Sequence, residues 1–209
     1  MNTRDEIKKQ ALSLFNQDGL MNVTLRHVAE HLHKSYGNIT YHFANKELLI
    51  KELYEEMVEE LRQITLATSQ NLTLKEVIFE LPERTFELSN KYLFFYVDYI
   101  ELRRNYPEFM EVVDLNNMER ARSLKYLLMK LRDDEFLKPE IDDETLDHIM
   151  ELSGAIRTFF FQRYYLGNAT KAMYIEYTNR LLLPYLSNYG AQAYQNYLNA
   201  TSNWNSLKS

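Results

Sequence analysis

The sequence predicts an all-α fold: a three-helix N-terminal head built around a helix-turn-helix, followed by a larger helical domain. Three observations predict it. Only five glycines and four prolines punctuate 209 residues. Apolar residues recur at three- and four-residue spacing, with little β-branched alternation. Two short amphipathic segments meet at a tight turn near residue 33, ahead of a long helical stretch.

Taken in order, a first helix starts at Thr3, with Glu6 completing a capping box. Its stripe of Ile7, Ala11, Leu14 and Phe15 faces inward, and Gly19 ends it. Thr24 is a good N-cap for a second helix that turns Leu25, Val28, Ala29 and Leu32 inward. A third, short helix opens at Ser35 and runs to about Tyr41. Asn45 caps a long fourth helix whose stripe of Leu49, Leu53, Met57, Leu61 and Ile64 continues to about Ala67 without a proline or glycine. Thr73 with Glu76 starts another helix, which Pro82 should kink or divide before the aromatic run Tyr92 to Tyr99. Pro107 begins a helix to about Arg132, and DDEFLKPEIDD forms a polar connection. The acids from Asp142 suit the positive end of a helix that stops at Gly167. A helix over about 170 to 187 and a short one after Gly190 complete the chain.

Composition narrows the functional classes. Apolar residues make up 45% of the chain, enough for a real core, and there is no cysteine, which excludes disulfides, thiolate zinc sites and cysteine nucleophiles and suits a reducing cytoplasm. The apolar stretches YLFFYVDYI and the one around FFF at 159 to 161 are too short to span a bilayer, so a cytoplasmic location with no membrane partner is expected. Net charge is −6, but its distribution is uneven: residues 1 to 45 carry five Lys or Arg against four acids, and the remainder sums to −7. Four of five histidines also lie in the first segment and can gain charge near a polyanion. This asymmetry permits DNA binding without establishing it; a solvated surface explains it equally well.

The segment VTLRHVAEHLHKSYGNITYHFANKELL, residues 23 to 49, is where function becomes readable. Two short helices around a tight turn place the second where it can enter a major groove about 12 Å wide. Together with the Leu14-Phe15 pair and Gly19, it closely resembles the TetR family of bacterial repressors over about the first 55 residues. The resemblance rests on Val23-Thr24-Leu25-Arg26 leading into Val28-Ala29, on Gly37, on Tyr41-His42-Phe43, and on Asn45-Lys46-Glu47-Leu48. It implies a DNA-binding domain over 1 to 45 and a ligand-binding and dimerisation domain over 46 to 209. It also implies a double-stranded DNA operator of pseudo-palindromic form, bound by a homodimer paired through the helices at about 142 to 166 and 170 to 187. A small-molecule effector, of unknown identity, would act on the body, and no cofactor is implied.

Carried onto this chain, the resemblance places Thr24 and Arg26 at the DNA end of the second helix, and Lys34, Ser35, Tyr36, Asn38, Thr40 and Tyr41 on the exposed side of the third. Tyr41 or His42 is expected to supply part of the phosphate contact, and Lys46 is expected to hold a phosphate beside the free N–H groups of the fourth helix. Ile39 and Phe43 are expected to pack inward. Three positions depart from the family: His33 stands where glycine is usual, Lys34 where an apolar residue is usual, and Thr40 where tyrosine is usual. Histidine tolerates a left-handed turn better than most residues, so the turn should survive.

With 16 tyrosines and 11 phenylalanines, the body has aromatics to spare for a pocket. Tyr92, Phe95, Tyr96 and Tyr99, with Met110, Val113, Met118, Phe159 and Phe160, are the candidate lining, ordinary core being the competing reading. The aromatic lining and the acidic body favour a flat apolar effector of neutral or cationic character. The fourth helix would act as a lever between that pocket and the head. Residues 156 to 166 are apolar around most of the helix, which fits burial on two sides, and Gly154 with Ala155 would admit a partner helix; a fully internal helix is the alternative.

Other chemistries find less support. His27-Val28-Ala29-Glu30-His31 matches the HxxEH arrangement of inverted zinc peptidases, but a five-residue pattern arises easily by chance and His148 is the one histidine outside the head. A di-iron bundle would need two Glu-x-x-His pairs, and a hydrolase triad would need a histidine base in the body. No catalytic residue, metal site or enzyme activity is therefore assigned. A DNA-binding protein whose body answers to another protein is the alternative function.

Overall fold

The computed structural model describes residues 2–70 and 72–206. These residues form α1 (Thr3–Asp18), α2 (Leu25–His31), α3 (Tyr36–His42), α4 (Lys46–Gln70), α5 (Leu81–Lys91), α6 (Phe94–Val97), α7 (Tyr99–Asn105), α8 (Pro107–Asp133), α9 (Asp143–Tyr165), α10 (Lys171–Leu182) and α11 (Asn188–Ser206). Short 3-10 turns at Leu20–Asn22 and Leu183–Tyr185 and a π-helical turn at Glu76–Glu80 complete them. The fold is all-α, and none of the described helices is long and apolar enough to cross a membrane. By packing, the chain divides into two units: residues through Arg62 with Leu88–Asn116, and Gln63–Glu87 with the residues from Asn117 onward.

In the first unit the starts of α1 to α4 are each satisfied by a side chain. Asn2, in extended conformation, accepts the Asp5 N–H at 3.0 Å, so the cap of α1 lies one residue before the expected Thr3. Thr24 caps α2, Ser35 caps α3, and Asn45 accepts the Leu48 N–H at 2.9 Å to start α4. Between α2 and α3 the chain reverses through His33 at φ 52°, a left-handed residue without glycine, and the Lys34 N–H returns to the Ala29 carbonyl at 3.0 Å. Val28, Ala29, Ile39 and Phe43 are buried beneath the turn, with Ile7, Ala11, Leu14 and Phe15 of α1. An aromatic chain continues this core from Phe15 to Phe94, Phe95, Tyr54 and Phe109, with ring centres 4.3–5.4 Å apart. Such tilted and edge-on pairs add to the stabilisation from burial alone.

The second unit packs around Leu74, Ile78, Leu131, Leu137, Leu146 and Ile149. Its first helical stretch, which Pro82 is expected to kink or divide, runs unbroken over residues 74–91 and changes geometry just before Pro82. The proline has no N–H, and its ring presses toward the carbonyl of the turn before it, where Glu76–Glu80 open to π geometry. Asp142 accepts the Thr145 N–H at 2.8 Å to start α9, and Gly167 at φ 73° follows its end. Thr170 caps α10. The last helix, expected as a short one after Gly190, runs instead from Asn188 to Ser206, and the Ser187 hydroxyl caps its start by accepting the Gly190 N–H at 2.9 Å. Gly190 is required where it stands, since a Cβ there would lie 2.1 Å from the Phe136 carbonyl oxygen.

Relieving that overlap would move the start of α11 off the loop carrying Phe136. Gly190→Ala is expected to destabilise the protein by about 1–3 kcal/mol, the usual cost of forcing volume into a packed site. Urea unfolding should show a lower midpoint with an unchanged slope.

Candidate functional site

The head presents one polar, aromatic face. On α3, Ile39 is fully buried, whereas Tyr36, Asn38 and Tyr41 point outward, Tyr41 with 85% of its surface exposed. Seven residues make two turns, and this spacing lets one side of α3 anchor the helix while the other stays available. Arg26 of α2 joins this face with its guanidinium carbon 5.2 Å from the Tyr36 ring centre, a stacking that pre-orients a cation beside the recognition surface. Thr24 and Ser35 are exposed and spend their oxygens on capping, accepting from the N–H groups of His27 and Asn38. Thr40, half-buried, donates its hydroxyl to the Tyr36 carbonyl at 3.2 Å. His42 packs edge-on against Tyr41, ring centres 5.2 Å apart.

Lys34, expected on the DNA side of the third helix, and Lys46, expected to hold a phosphate, each have a partner within the head. Lys34 pairs with Glu6 at 3.1 Å. Lys46 turns inward and donates to the Leu20 carbonyl, and burial holds its amine below the ordinary lysine range against the opposing pull of Asp98. The backbone start of α4 remains, but that ammonium is committed to the fold. His27 of the HxxEH pattern closes a capping box, its Nδ1 accepting the Thr24 N–H at 3.3 Å, and His31 Nδ1 bonds the His27 carbonyl at 2.8 Å.

Several residues that hold this face carried no recognisable signal in the sequence. Arg4 donates to the His42 carbonyl at 2.9 Å, pairs with Glu52 and lies 4.4 Å from the Phe43 ring centre, so it braces the end of α3. Asn16 donates to the Lys91 carbonyl at 2.9 Å and accepts the Phe94 N–H at 3.0 Å. Asp98 accepts the N–H of fully buried Leu20 at 2.8 Å. Burial raises the Asp98 carboxyl above the ordinary aspartate range, opposed by that N–H and by Lys46. The polar ends of α1 and its following turn thus grip the link between α5 and α7.

The predicted pocket residues are dispersed. Tyr92 is fully buried with its hydroxyl donating to Glu60 at 2.7 Å, and Phe95 belongs to the aromatic chain of the first unit. Tyr96 pairs with the Ser89 hydroxyl at 2.9 Å, Tyr99 accepts from Arg103 at 2.8 Å, and Met110 and Val113 are buried. Met118 and Phe159 are exposed, while Phe160 packs on Tyr174 with ring centres 5.1 Å apart. Within the second unit lies a cavity of about 80 Å³ that none of these nine lines. Its walls come from Val77, Leu81, Pro82 and Thr85 at the π turn and α5, and from one face each of α8, α9 and α10. The walls are mainly aliphatic, and they hold two arginines, Arg120 and Arg157, and no carboxylate, unlike the expected aromatic-lined site for a flat apolar or cationic effector.

Comparison with known proteins places this geometry. Residues 7–53 match the model of the bacterial regulatory proteins of the tetR family. The chain is 24% identical over 143 residues to the HTH-type transcriptional repressor KstR2 of Mycobacterium tuberculosis, covering 66% of this chain and 71% of that one. Among solved structures, a TetR-family transcriptional regulator from Marinobacter aquaeolei VT8 superposes with a TM-score of 0.80 at 26% identity, over 90% of this chain and 93% of the other. The fatty acid degradation regulator FadR from Bacillus halodurans shares the fold, with a TM-score of 0.70 at 17% identity over 88% and 96% of the two chains.

Asp98→Ala leaves the buried Leu20 N–H without an acceptor and is expected to cost about 1–3 kcal/mol in chemical unfolding. Asp98→Asn keeps an acceptor oxygen and should cost less. Because its folded pKa is raised, Asp98 contributes stability that is complete below its unfolded pKa, near 3.9, and lost as pH rises through the raised value. The asparagine variant should lack that loss, so its stability relative to wild type should improve across that rise.

Proposed function

The chain belongs to the TetR family of bacterial transcriptional regulators, and we propose that it is a repressor that binds a pseudo-palindromic operator as a homodimer and is modulated by a small molecule. Residues 1 to 45 form the DNA-binding domain and residues 46 to 209 the ligand-binding and dimerisation domain. It works in the cytoplasm, where its operator lies. The observation that carries the reading is α3, anchored by buried Ile39 and presenting Tyr36, Asn38 and Tyr41 beside a stacked Arg26. Asn38 suits bidentate pairing with adenine, and Arg26 suits guanine or a phosphate. Tyr41 and His42 supply aromatic and polar contact to the backbone, with Thr24, Ser35 and Thr40 at the helix ends and flank. Lys34 reaches DNA by exchanging Glu6 for a phosphate, and Lys46 acts through the turn that it fixes.

Dimerisation is supported by α9. Leu152, Phe159 and the following Leu166 are exposed at seven-residue spacing, with exposed Ala155 between them and open space around Gly154. A recurring apolar stripe of this kind is a seam for a second helix. One head makes too few contacts for useful affinity, and two heads about one helical turn apart read two half-sites.

The cavity is the effector site, and α5 is the connection. Leu81, Pro82 and Thr85 line the cavity at one end of this helix. At its other end the Lys91 carbonyl is held by Asn16, which also accepts the Phe94 N–H, and Asp98 further along accepts the N–H of Leu20. At about 80 Å³ the cavity is smaller than the roughly 300–1,000 Å³ typical of ligand pockets, so a larger ligand enters by displacing its walls. A typical coupling of ~1–3 kcal/mol corresponds to roughly 5 to 150-fold in operator affinity.

Selecting bound fragments from the source genome will supply the operator. Arg26→Ala should weaken binding to it and, if a phosphate contact is lost, reduce the slope of log affinity against log salt by about one unit. Unchanged affinity and slope in a folded variant would remove Arg26 and its face from recognition. Sedimentation should give a mass near twice 25.0 kDa, and Phe159→Glu should shift it toward the monomer.

A further inference from the structure

The cavity in the second unit holds an unusual charge. Arg157 lines it from α9, and its buried Nε finds no hydrogen-bond acceptor among the described residues. A guanidinium does not escape this cost by losing its proton, since arginine stays charged in proteins. A buried donor without an acceptor is unfavourable, and no Asp or Glu is among the residues lining the cavity to offset the charge of this half-buried side chain.

A second arginine stands at the same end. Arg132 lies 3.4 Å from Asp143 and Lys125 lies 2.8 Å from Asp147, so residues decrease along α8 as they increase along α9. This antiparallel register brings Arg120, the first α8 residue in the wall, toward Arg157, the last from α9. Ser153, one turn before Arg157, lies between them and the apolar end marked by Leu128 and Ile149. The cavity is therefore polarised along its length, cationic at one end and aliphatic at the other.

We propose that the effector is a small amphipathic carboxylate, its carboxylate held by Arg157 with Arg120 beside it and its aliphatic body against Leu128 and Ile149. This deepens the reading of the cavity as the effector site and rests on it. Planar guanidinium and carboxylate groups match in a two-bond fork, and a water-excluded wall strengthens the pairing. An ammonium would be repelled, and a neutral isostere would leave Arg157 uncompensated.

The test uses the full-length protein and four probes: hexanoate, octanoate, 1-octanol and octylamine. Calorimetric titration should show one or both carboxylates binding, with the alcohol and the amine weaker by roughly 10- to 100-fold, the factor set by a hydrogen bond to a charged group. Arg157→Met should remove that preference and, having lost a buried donor without an acceptor, unfold at the same temperature as wild type or higher. Arg157→Lys should retain part of the preference. No binding by either carboxylate, equal binding by the alcohol, or an undiminished preference in Arg157→Met would overturn the proposal. So would marked destabilisation of ligand-free Arg157→Met, which would make Arg157 a structural residue. Operator affinity in the same titrations separates the underlying reading: a carboxylate that binds through Arg157 without changing operator affinity refutes the cavity as effector site and leaves the ligand class standing. Loss of operator binding on adding octanol alone would do the reverse.

Discussion

Leu20 is a single buried residue whose backbone is satisfied from two directions, its N–H by Asp98 and its carbonyl by Lys46. A buried backbone group without a partner is costly, so this turn has no cheap alternative arrangement. The consequence is geometric. The turn after α1 is tied at once to the first residue of α4 and to the junction of α6 and α7, and Asn16, one turn earlier, binds the chain at Lys91 and Phe94. Within the first unit the helix-turn-helix is thereby fixed to the segment that leaves α5. The burial that makes the clamp firm also lowers the Lys46 amine and raises the Asp98 carboxyl, so firmness and electrostatic cost have one origin.

That clamp explains why the exposed face of the head can be small. Tyr36, Asn38 and Tyr41 need no stabilising contacts of their own because Ile39 and Phe43 anchor α3 from beneath and Arg4 holds its last carbonyl. A recognition surface of this sort gains affinity from being preformed, since little side-chain and loop ordering is left to be done on binding. The proposed effector site meets the same clamp through covalent continuity. The π turn and the first turns of α5 are cavity wall, and the segment that follows α5 is tied to α1 and its turn, the Phe94 N–H by Asn16 and the Leu20 N–H by Asp98.

Much of the fold was legible because caps and turns are local chemistry. Thr24, Ser35, Asn45 and Asp142 all start the helices that their side chains suggested, and Gly19 and Gly167 follow the ends of theirs at positive φ. His33 keeps a left-handed turn without glycine, as its polar ring permits. What stayed hidden depends on long-range packing. An aromatic run such as Tyr92 to Tyr99 has the same pattern whether it lines a pocket or fills a core, and Tyr92 and Phe95 fill a core. Lys46 has the same spacing whether its amine reaches outward or inward. Arg4, Asn16 and Asp98 bond to backbone groups 38 to 78 residues away, and no local pattern announces such partners. Arg157 did carry a faint signal, a lone cation near the start of the otherwise apolar IRTFFFQ, but only the cavity gives it meaning.

The central claim is that occupancy of the cavity reaches the DNA-binding head through α5 and the Asp98 clamp. Its most direct test is thermodynamic linkage: operator affinity measured with and without a saturating cavity ligand, in wild type and in Asp98→Ala under conditions where the variant is folded. The account predicts a ligand effect of roughly 5 to 150-fold in wild type, falling toward unity in the variant although the ligand still binds. An equal effect in both proteins would show that the signal travels by another route and would contradict the claim.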